Sequence, residues 1–430
     1  MKLFGNGFLV IGLSLLSVPI FAQDDDILID KVTENREAGE RTTPVIGGAL
    51  QTRFEVVNEL IDQNNLQAAL DELKTLESQS KLRTGPFGEA VIFMMIGFVN
   101  GSLENLDEAI KYYEKALATE ELPGPMHQGS LFSLAHIHAA KQEFEKALEL
   151  MRELFLYEEN PFASAYMFMG SCYAALERYD NALPFLERAI EEADRPIESW
   201  YQMTLSIQLS LGKFERALST IKTMLEHWTR SPQYWEALVS VYQELGDEPA
   251  AFDALMTAYI NGMVTRPDQI MLLAQMSVYN DVPFTAGSIL ENEMLAGVVP
   301  ETEETLTVLI DTWIVAREYE RAIAAVDRIV AYSDAGPHYL RAARLYFQAA
   351  NWEGAAMSAE KALSTELENP VQALMVAGSA YSEMNEYEKA LGAFTKVLAI
   401  GTEKERASAE SWINYVEESR LNRDVLSAAQ

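Results

Sequence analysis

Apolar and polar positions along this chain recur as a single phrase. A bulky residue is followed by two variable positions, then Ala and usually an aliphatic. The copies read "NLQAAL", "NLDEAI", "EFEKAL", "RYDNAL", "KFERAL", "DEPAAF", "VPFTAG", "EYERAI", "NWEGAA" and "EYEKAL". Their anchors are Ala69, Ala109, Ala147, Ala182, Ala217, Ala251, Ala286, Ala322, Ala355 and Ala390, separated by 40, 38, 35, 35, 34, 35, 36, 33 and 35 residues. A period near 34 is that of a helix–turn–helix unit. Each unit is a helix pair that cannot cover its apolar faces alone, so neighbours must stack. The pattern predicts an all-α chain of about ten such pairs over residues 51–401.

Two copies are especially regular. Residues 163–196 place Gly170, Tyr173, Ala182 and Ala189 at small and aromatic positions, with Pro196 after the second helix. Residues 232–265 place Trp235, Leu238, Tyr242, Ala251, Leu255 and Ala258 likewise. In these residues the chain resembles the tetratricopeptide repeat (TPR) family over roughly residues 50–400. The resemblance implies a right-handed superhelical solenoid of about ten repeats. Within it Gly97, Gly170 and Gly378 are expected to let helices approach closely, and Tyr173, Tyr242, Tyr346 and Tyr381 to fill gaps between repeats. The polar turns "LERYD", "LGKFE", "LGDEP" and "MNEYE" carry residues suited to ending or capping helices. Pro249 and Pro283 fall near the first turn of second helices, where a missing N–H costs little. They displace the usual aromatic and are expected to bend the array locally.

The ends differ from the middle. Residues 1–22 combine Lys2, an apolar stretch and Ala22 before "QDDD", which reads as a cleavable signal peptide. Ile20 is larger than the ideal residue before the cut, which leaves the cleavage point open. No Cys follows the apolar run, as a lipid anchor would need, and no later stretch is apolar enough to span a bilayer. The mature chain is expected to be exported, to the periplasm in a Gram-negative cell. Residues 23–50 read as a flexible segment, 402–419 as a capping helix and 420–430 as a frayed tail. In the cap, Trp412 and Tyr415 are expected to pack on the last repeat while Glu417, Glu418 and Arg420 face water.

Charge removes whole classes of partner. Acidic residues outnumber basic ones 65 to 33, a net charge of −32. Nucleic acid and anionic membrane surfaces both need a cationic footprint, and neither suits this chain. One cysteine, Cys172, forbids an internal disulfide and reads as apolar filler.

Catalytic patterns are missing from the sequence: there is no phosphate loop and no Gly-x-Ser-x-Gly. His136 and His138 are two apart and point to different helix faces, His138 as a packing residue and His136 toward the inner surface. Glu158–Glu159 and Glu301 to Glu304 read as solvated turns, without calcium-loop spacing. Trp235, Trp313, Trp352 and Trp412 read as core. Met94, Met95, Met167 and Met169 read mainly as core, with an adaptable groove as the alternative. No catalytic residue, cofactor or metal site is expected, and the chain reads as a non-enzyme. What remains is the inner surface. By repeat position its groove candidates are Gln202, Ser206, Gln233, Glu236, Ser240, Gln243, Arg344 and Phe347, a mixture suited to an extended peptide or a partner's helix.

A narrower resemblance rests on longer phrases. These are "RTTPVIGGALQTRFEVVNEL", "QGSLFSLAHIHAAKQEFEKAL", "SPQYWEALVSVYQELGDEPAAFDALMTAYINGMVT", "LLAQMSVYNDVPFTAGSILENEMLAGVV", "TWIVAREYERAI" and "RASAESWINYV". In their order they are similar to exported bacterial TPR proteins found with TonB–ExbB–ExbD energy-transduction systems. That resemblance implies periplasmic work beside outer-membrane uptake of iron complexes or other scarce nutrients, with TonB, ExbB or ExbD as the expected protein partner. A general envelope-assembly scaffold, serving secretion, cell-wall synthesis or outer-membrane biogenesis, is the alternative.

Overall fold

A computed structural model describes residues 46–83, 85–157, 161–333, 335–365 and 367–428. The signal-peptide reading, most of the 23–50 segment and Glu158–Glu159 lie outside the described residues. Within them the chain is all-helical, in two compact units that divide after His227.

The first unit holds five helix pairs. They are α1 (Gly48–Asp62) with α2 (Leu66–Arg83), α3 (Gly85–Ser102) with α4 (Leu106–Leu117), α5 (Gly124–Ala140) with α6 (Phe144–Tyr157), α7 (Ala163–Ala175) with α8 (Tyr179–Glu191), and α9 (Glu198–Ser210) with α10 (Phe214–His227). The second unit holds five more pairs and one further helix. They are α11 (Pro232–Glu244) with α12 (Glu248–Ile260), α13 (Pro267–Tyr279) with α14 (Pro283–Leu295), α15 (Glu303–Val315) with α16 (Tyr319–Tyr332), α17 (Gly336–Gln348) with α18 (Trp352–Leu363), α19 (Val371–Glu383) with α20 (Tyr387–Ile400), and then α21 (Glu403–Ala428). Helix α1 begins inside the segment read as flexible. Helix α21 runs well past residue 419, because "LNRDVLSA" holds no Gly or Pro to end it.

The Ala anchors explain the pairing. All ten are 0 % exposed, one near the start of every second helix. At 0 % exposure a side chain larger than a methyl group would have to displace its neighbours. Five residues before each anchor stands a residue in the left-handed backbone region: Asn64, Glu104, Gln142, Glu177, Gly212, Gly246, Asp281, Arg317, Ala350 and Asn385. Each is the middle residue of a three-residue turn. The following N–H closes the turn by reaching five residues back, as from Asn65 to the Leu60 carbonyl at 2.8 Å and from Glu386 to the Tyr381 carbonyl at 2.9 Å. This is the Schellman closure, which satisfies carbonyls left open at a helix end. It recurs in all ten pairs.

Close approach at the small positions is direct. A Cβ on Gly170 would stand 2.5 Å from Leu186, and one on Gly378 would stand 2.6 Å from Phe394. Gly97 lies in the same way against Tyr113. A fourth such site, Gly287 under the fully buried Trp313, was not foreseen. Tyr173 and Tyr381 are buried and tie helices together, Tyr173 accepting from Arg152 Nη2 at 2.9 Å and Tyr381 donating to Glu360. Tyr242 and Tyr346 are half-buried. Pro249 and Pro283 stand in the first turns of α12 and α14.

Helix α21 starts with a Thr402–Glu405 box, in which the Thr402 N–H donates to Glu405 at 2.8 Å. Trp412 stacks on Phe394 at 5.7 Å, and Ala409 and Val416 are fully buried. Tyr415 departs from the expected packing: it is 53 % exposed and touches Trp412 edge-on. Arg420 is half-buried and pairs with Glu388 at 2.8 Å. The helix rotates Tyr415 off the sealing face, which Ala409, Trp412 and Val416 occupy, whereas Arg420 falls one turn beyond Val416 on that same face and so reaches Glu388 instead of water.

Candidate functional site

In the middle pairs of the first unit, charge sits on the second helix rather than on the first. In the first unit, α4, α6 and α8 each carry four or five charged residues. Helix α3 carries only Glu89, and α5 and α7 carry no Asp, Glu, Lys or Arg. Apolar character around most of a helix fits burial on several sides. Yet part of this surface is open. Phe98 and Phe162 are each 47 % exposed.

Two adjoining cavities lie along the first-helix face of this unit. One of 620 Å³ is lined by Phe54, Asn58, Met94, Met95, Phe98 and Met126 among others. The other, of 520 Å³, is lined by Phe98, Leu106, Phe132, Ser133, His136 and Ile137 among others. Phe98, Tyr113 and Ser133 belong to both. Both volumes fall within the range of about 300–1,000 Å³ usual for ligand pockets. Phe132 meets Phe162 edge-on at 5.0 Å, and His136 lies over Phe168 at 3.9 Å and against Phe132 at 4.4 Å. That packing shields one side of the imidazole, which stays exposed toward the groove, and lowers its pKa because the cation is less well solvated.

The two histidines separate as their spacing requires. His136 opens to the groove, while His138 is buried with Nδ1 2.8 Å from Glu143 Oε2. Lys146, and then His138, hold the Glu143 carboxyl down at about 2. Cys172 is buried, and that burial pushes its thiol up to about 12. The methionines divide: Met94 and Met95 line the groove, and Met167 and Met169 are core.

The sequence-derived groove residues do not form one cluster. Gln202 and Ser206 are exposed on α9 of the first unit. The other six belong to the second unit. Glu236, Ser240 and Gln243 of α11 line one cavity of 180 Å³ with Trp235, Val239 and Arg266. There Gln269 Nε2 donates to Glu236 Oε1 at 2.8 Å, and Arg266 lies 3.4 Å from Oε2. The Trp235 indole donates to the Thr229 carbonyl at 3.0 Å, so this ring is half-buried wall rather than core. Gln233 is exposed and accepts from Ser231 Oγ at 3.0 Å. Arg344 is spent on Gln372 of the next first helix, and Phe347 packs edge-on to Trp352 at 5.0 Å.

A larger cavity of 1,040 Å³ adjoins through Gln243, Asp268 and Leu272, lined further by Met271, Gln275, Tyr279, Asp311 and Val315. Tyr279 is 79 % exposed. Sequence reasoning missed this stretch, although its signal was present: an aromatic and a valine ending consecutive first helices. Among the described residues no group of three or more His, Cys, Asp or Glu could hold a metal ion, and no helix is long and apolar enough to cross a membrane.

Comparisons with known proteins come down on the architecture. Residues 102–189 match the family model described as anaphase-promoting complex, cyclosome, subunit 3, and residues 373–408 match that of the tetratricopeptide repeat. No curated protein matches the chain significantly. Among solved structures, a tetratricopeptide repeat protein from Parabacteroides merdae is 16% identical, with 62% of this chain and 99% of that one covered and a TM-score of 0.37. YrrB, a TPR protein with an unusual peptide-binding site, is 18% identical over 43% of this chain and 89% of its own, with a TM-score of 0.35. MamA protein is 20% identical over 39% and 89%, with a TM-score of 0.34. None of these likenesses bears on what this chain binds. By its helix order, its ten repeated turns and the match over residues 373–408, the chain has a TPR-type helical-repeat fold.

Proposed function

We propose that this protein is a non-enzymatic interaction scaffold that holds peptide segments of partner proteins on its first-helix faces. The observation that carries the reading is the segregation of charge. In the middle pairs of the first unit the second helices take the charges, while the first-helix face leaves two cavities, of 620 and 520 Å³, lined by no Asp, Glu, Lys or Arg. The finer reading is periplasmic service to TonB-dependent energy transduction and outer-membrane uptake of iron complexes, with TonB, ExbB or ExbD as partner. Its support is the ordered set of phrases from "RTTPVIGGALQTRFEVVNEL" to "RASAESWINYV".

The test is crosslinking in intact cells, followed by purification from detergent-solubilised envelopes. Recovery of TonB, ExbB or ExbD, together with slower uptake of a ferric siderophore in a deletion strain, is the expected result. Unchanged uptake and recovery of a secretin or a penicillin-binding protein instead would sink the TonB reading and favour envelope assembly. Fractionation should place the mature chain, beginning near Gln23, in the periplasm.

A further inference from the structure

The groove of the first unit has a specific chemistry. Its two cavities are lined by no Asp, Glu, Lys or Arg, in a chain of net charge −32. The floor is methionine and aromatic, a combination that adapts to different apolar side chains. Along one edge runs α1, which sends Phe54, Asn58 and Ile61 into the groove. Glu55, Glu59 and Asp62 stand beside them on the same helix, exposed, and among the described residues none of the three forms an ion pair. An apolar trough with an uncompensated acidic edge selects for the complementary arrangement on its occupant.

We propose that this groove docks a short apolar segment of a partner protein that carries lysine or arginine beside its bulky residues. The apolar side chains enter between Met94, Met126, Phe98 and Phe132. The cations meet Glu55, Glu59 and Asp62. This inference deepens the scaffold reading and rests on it, because it names the class of segment that one face accepts. An acidic segment with the same apolar residues is rejected by the same edge and by the field of the whole chain.

The test uses the full mature chain and three fluorescent peptides of equal length, read by anisotropy. One has a leucine–phenylalanine core flanked by lysines, the second has the same core flanked by glutamates, and the third has a serine core flanked by lysines. The first should bind at least tenfold tighter than either of the others. Phe98→Ser should weaken it at least tenfold, and the triple change Glu55→Gln, Glu59→Gln, Asp62→Asn at least threefold.

Gly129→Trp supplies a plug that folding tolerates. Gly129 lines the larger of the two cavities, and a Cβ there meets nothing within 4 Å. This variant should keep the wild-type circular dichroism and lose the peptide. Equal affinity for both lysine-flanked peptides, indifferent to Phe98→Ser and Gly129→Trp, would mean charge attraction alone and overturns the proposal. Binding that appears only after residues 23–45 are deleted would assign the groove to the chain's own upstream segment and also overturns it. If Gly129→Trp keeps full affinity for the lysine-flanked apolar peptide while envelope proteins still co-purify with it, this inference fails and the scaffold reading stands.

Discussion

Gly287 offers a test of the packing argument in which two opposing effects have known sizes. An alanine methyl at this position would lie 2.7 Å from Cε3 and Cζ3 of Trp313 and 2.8 Å from Cδ2. Ordinary carbon contacts fall at about 3.5–4.0 Å. The indole would have to retreat by roughly 1 Å, and at 0 % exposure it has no room to do so. Overpacking of this kind costs about 1–3 kcal/mol. Against it, alanine is favoured over glycine inside a helix by about 1 kcal/mol. The net is a loss of up to about 2 kcal/mol, or up to about 8 °C in Tm for a unit of this size. Gly392 on α20 supplies the matched control in the same unit, since a Cβ there meets nothing within 4 Å. Gly392→Ala should therefore gain about 0.5–1 kcal/mol. Thermal melts followed by circular dichroism should move in opposite directions for the two variants. In a Trp313→Phe background the Gly287→Ala deficit should shrink, because the smaller ring can withdraw and the buried indole nitrogen has no hydrogen-bond partner to lose. A Gly287→Ala Tm at or above wild type would refute the claim that steric fit, not propensity, chose glycine.

Three further outcomes concern a turn, the last helix and the groove histidine. Ala350 has φ of 58°, so Ala350→Gly should gain about 0.5–1 kcal/mol by removing a left-handed strain of about 1–2 kcal/mol. Ala349→Gly, one residue earlier at φ −77°, should lower Tm in the same melts. Removal of the chain from Thr402 onward uncovers Phe394 and Val397 and discards the burial of Ala409 and Val416. It should cost about 4 kcal/mol or more and produce aggregation on heating, measured by light scattering. His136 has a lowered pKa in the folded chain, so its contribution to stability is intact above the ordinary value of 6.5 and declines as pH falls below it toward the folded pKa. The Tm difference between wild type and His136→Gln should therefore narrow from pH 7.5 to pH 5, and a constant difference would contradict the shielding of the neutral ring by Phe132 and Phe168.

Much of the fold is written in the spacing of the Ala anchors, because a small residue at every fully buried anchor position leaves a periodic trace. The left-handed turn residues were harder to see. Asn64, Gly212, Gly246, Asp281 and Asn385 advertise that conformation, but Glu104, Gln142, Glu177, Arg317 and Ala350 do not. There the packing of the two helices imposes the backbone geometry. The candidate site was legible only as a face. Repeat position placed Ser240 and Gln243 on open surface, yet it could not reveal that Arg344 engages Gln372 or that Glu236 is held by Gln269. Those pairings depend on the register between successive first helices, which no single repeat contains. Likewise Met94 and Met167 look alike in sequence. What distinguishes them is whether a neighbouring element covers them.

All ten turns within pairs have three residues, whereas the links between pairs vary, from the single residue between Arg83 and Gly85 to the seven between Leu295 and Glu303 or between Leu363 and Val371. Length change is thus quarantined at the seams. A slip in gene copying that begins and ends at seams would add or delete a whole module without disturbing any turn inside one. The seam between Leu295 and Glu303 is accordingly a natural place to splice in an epitope or a protease site.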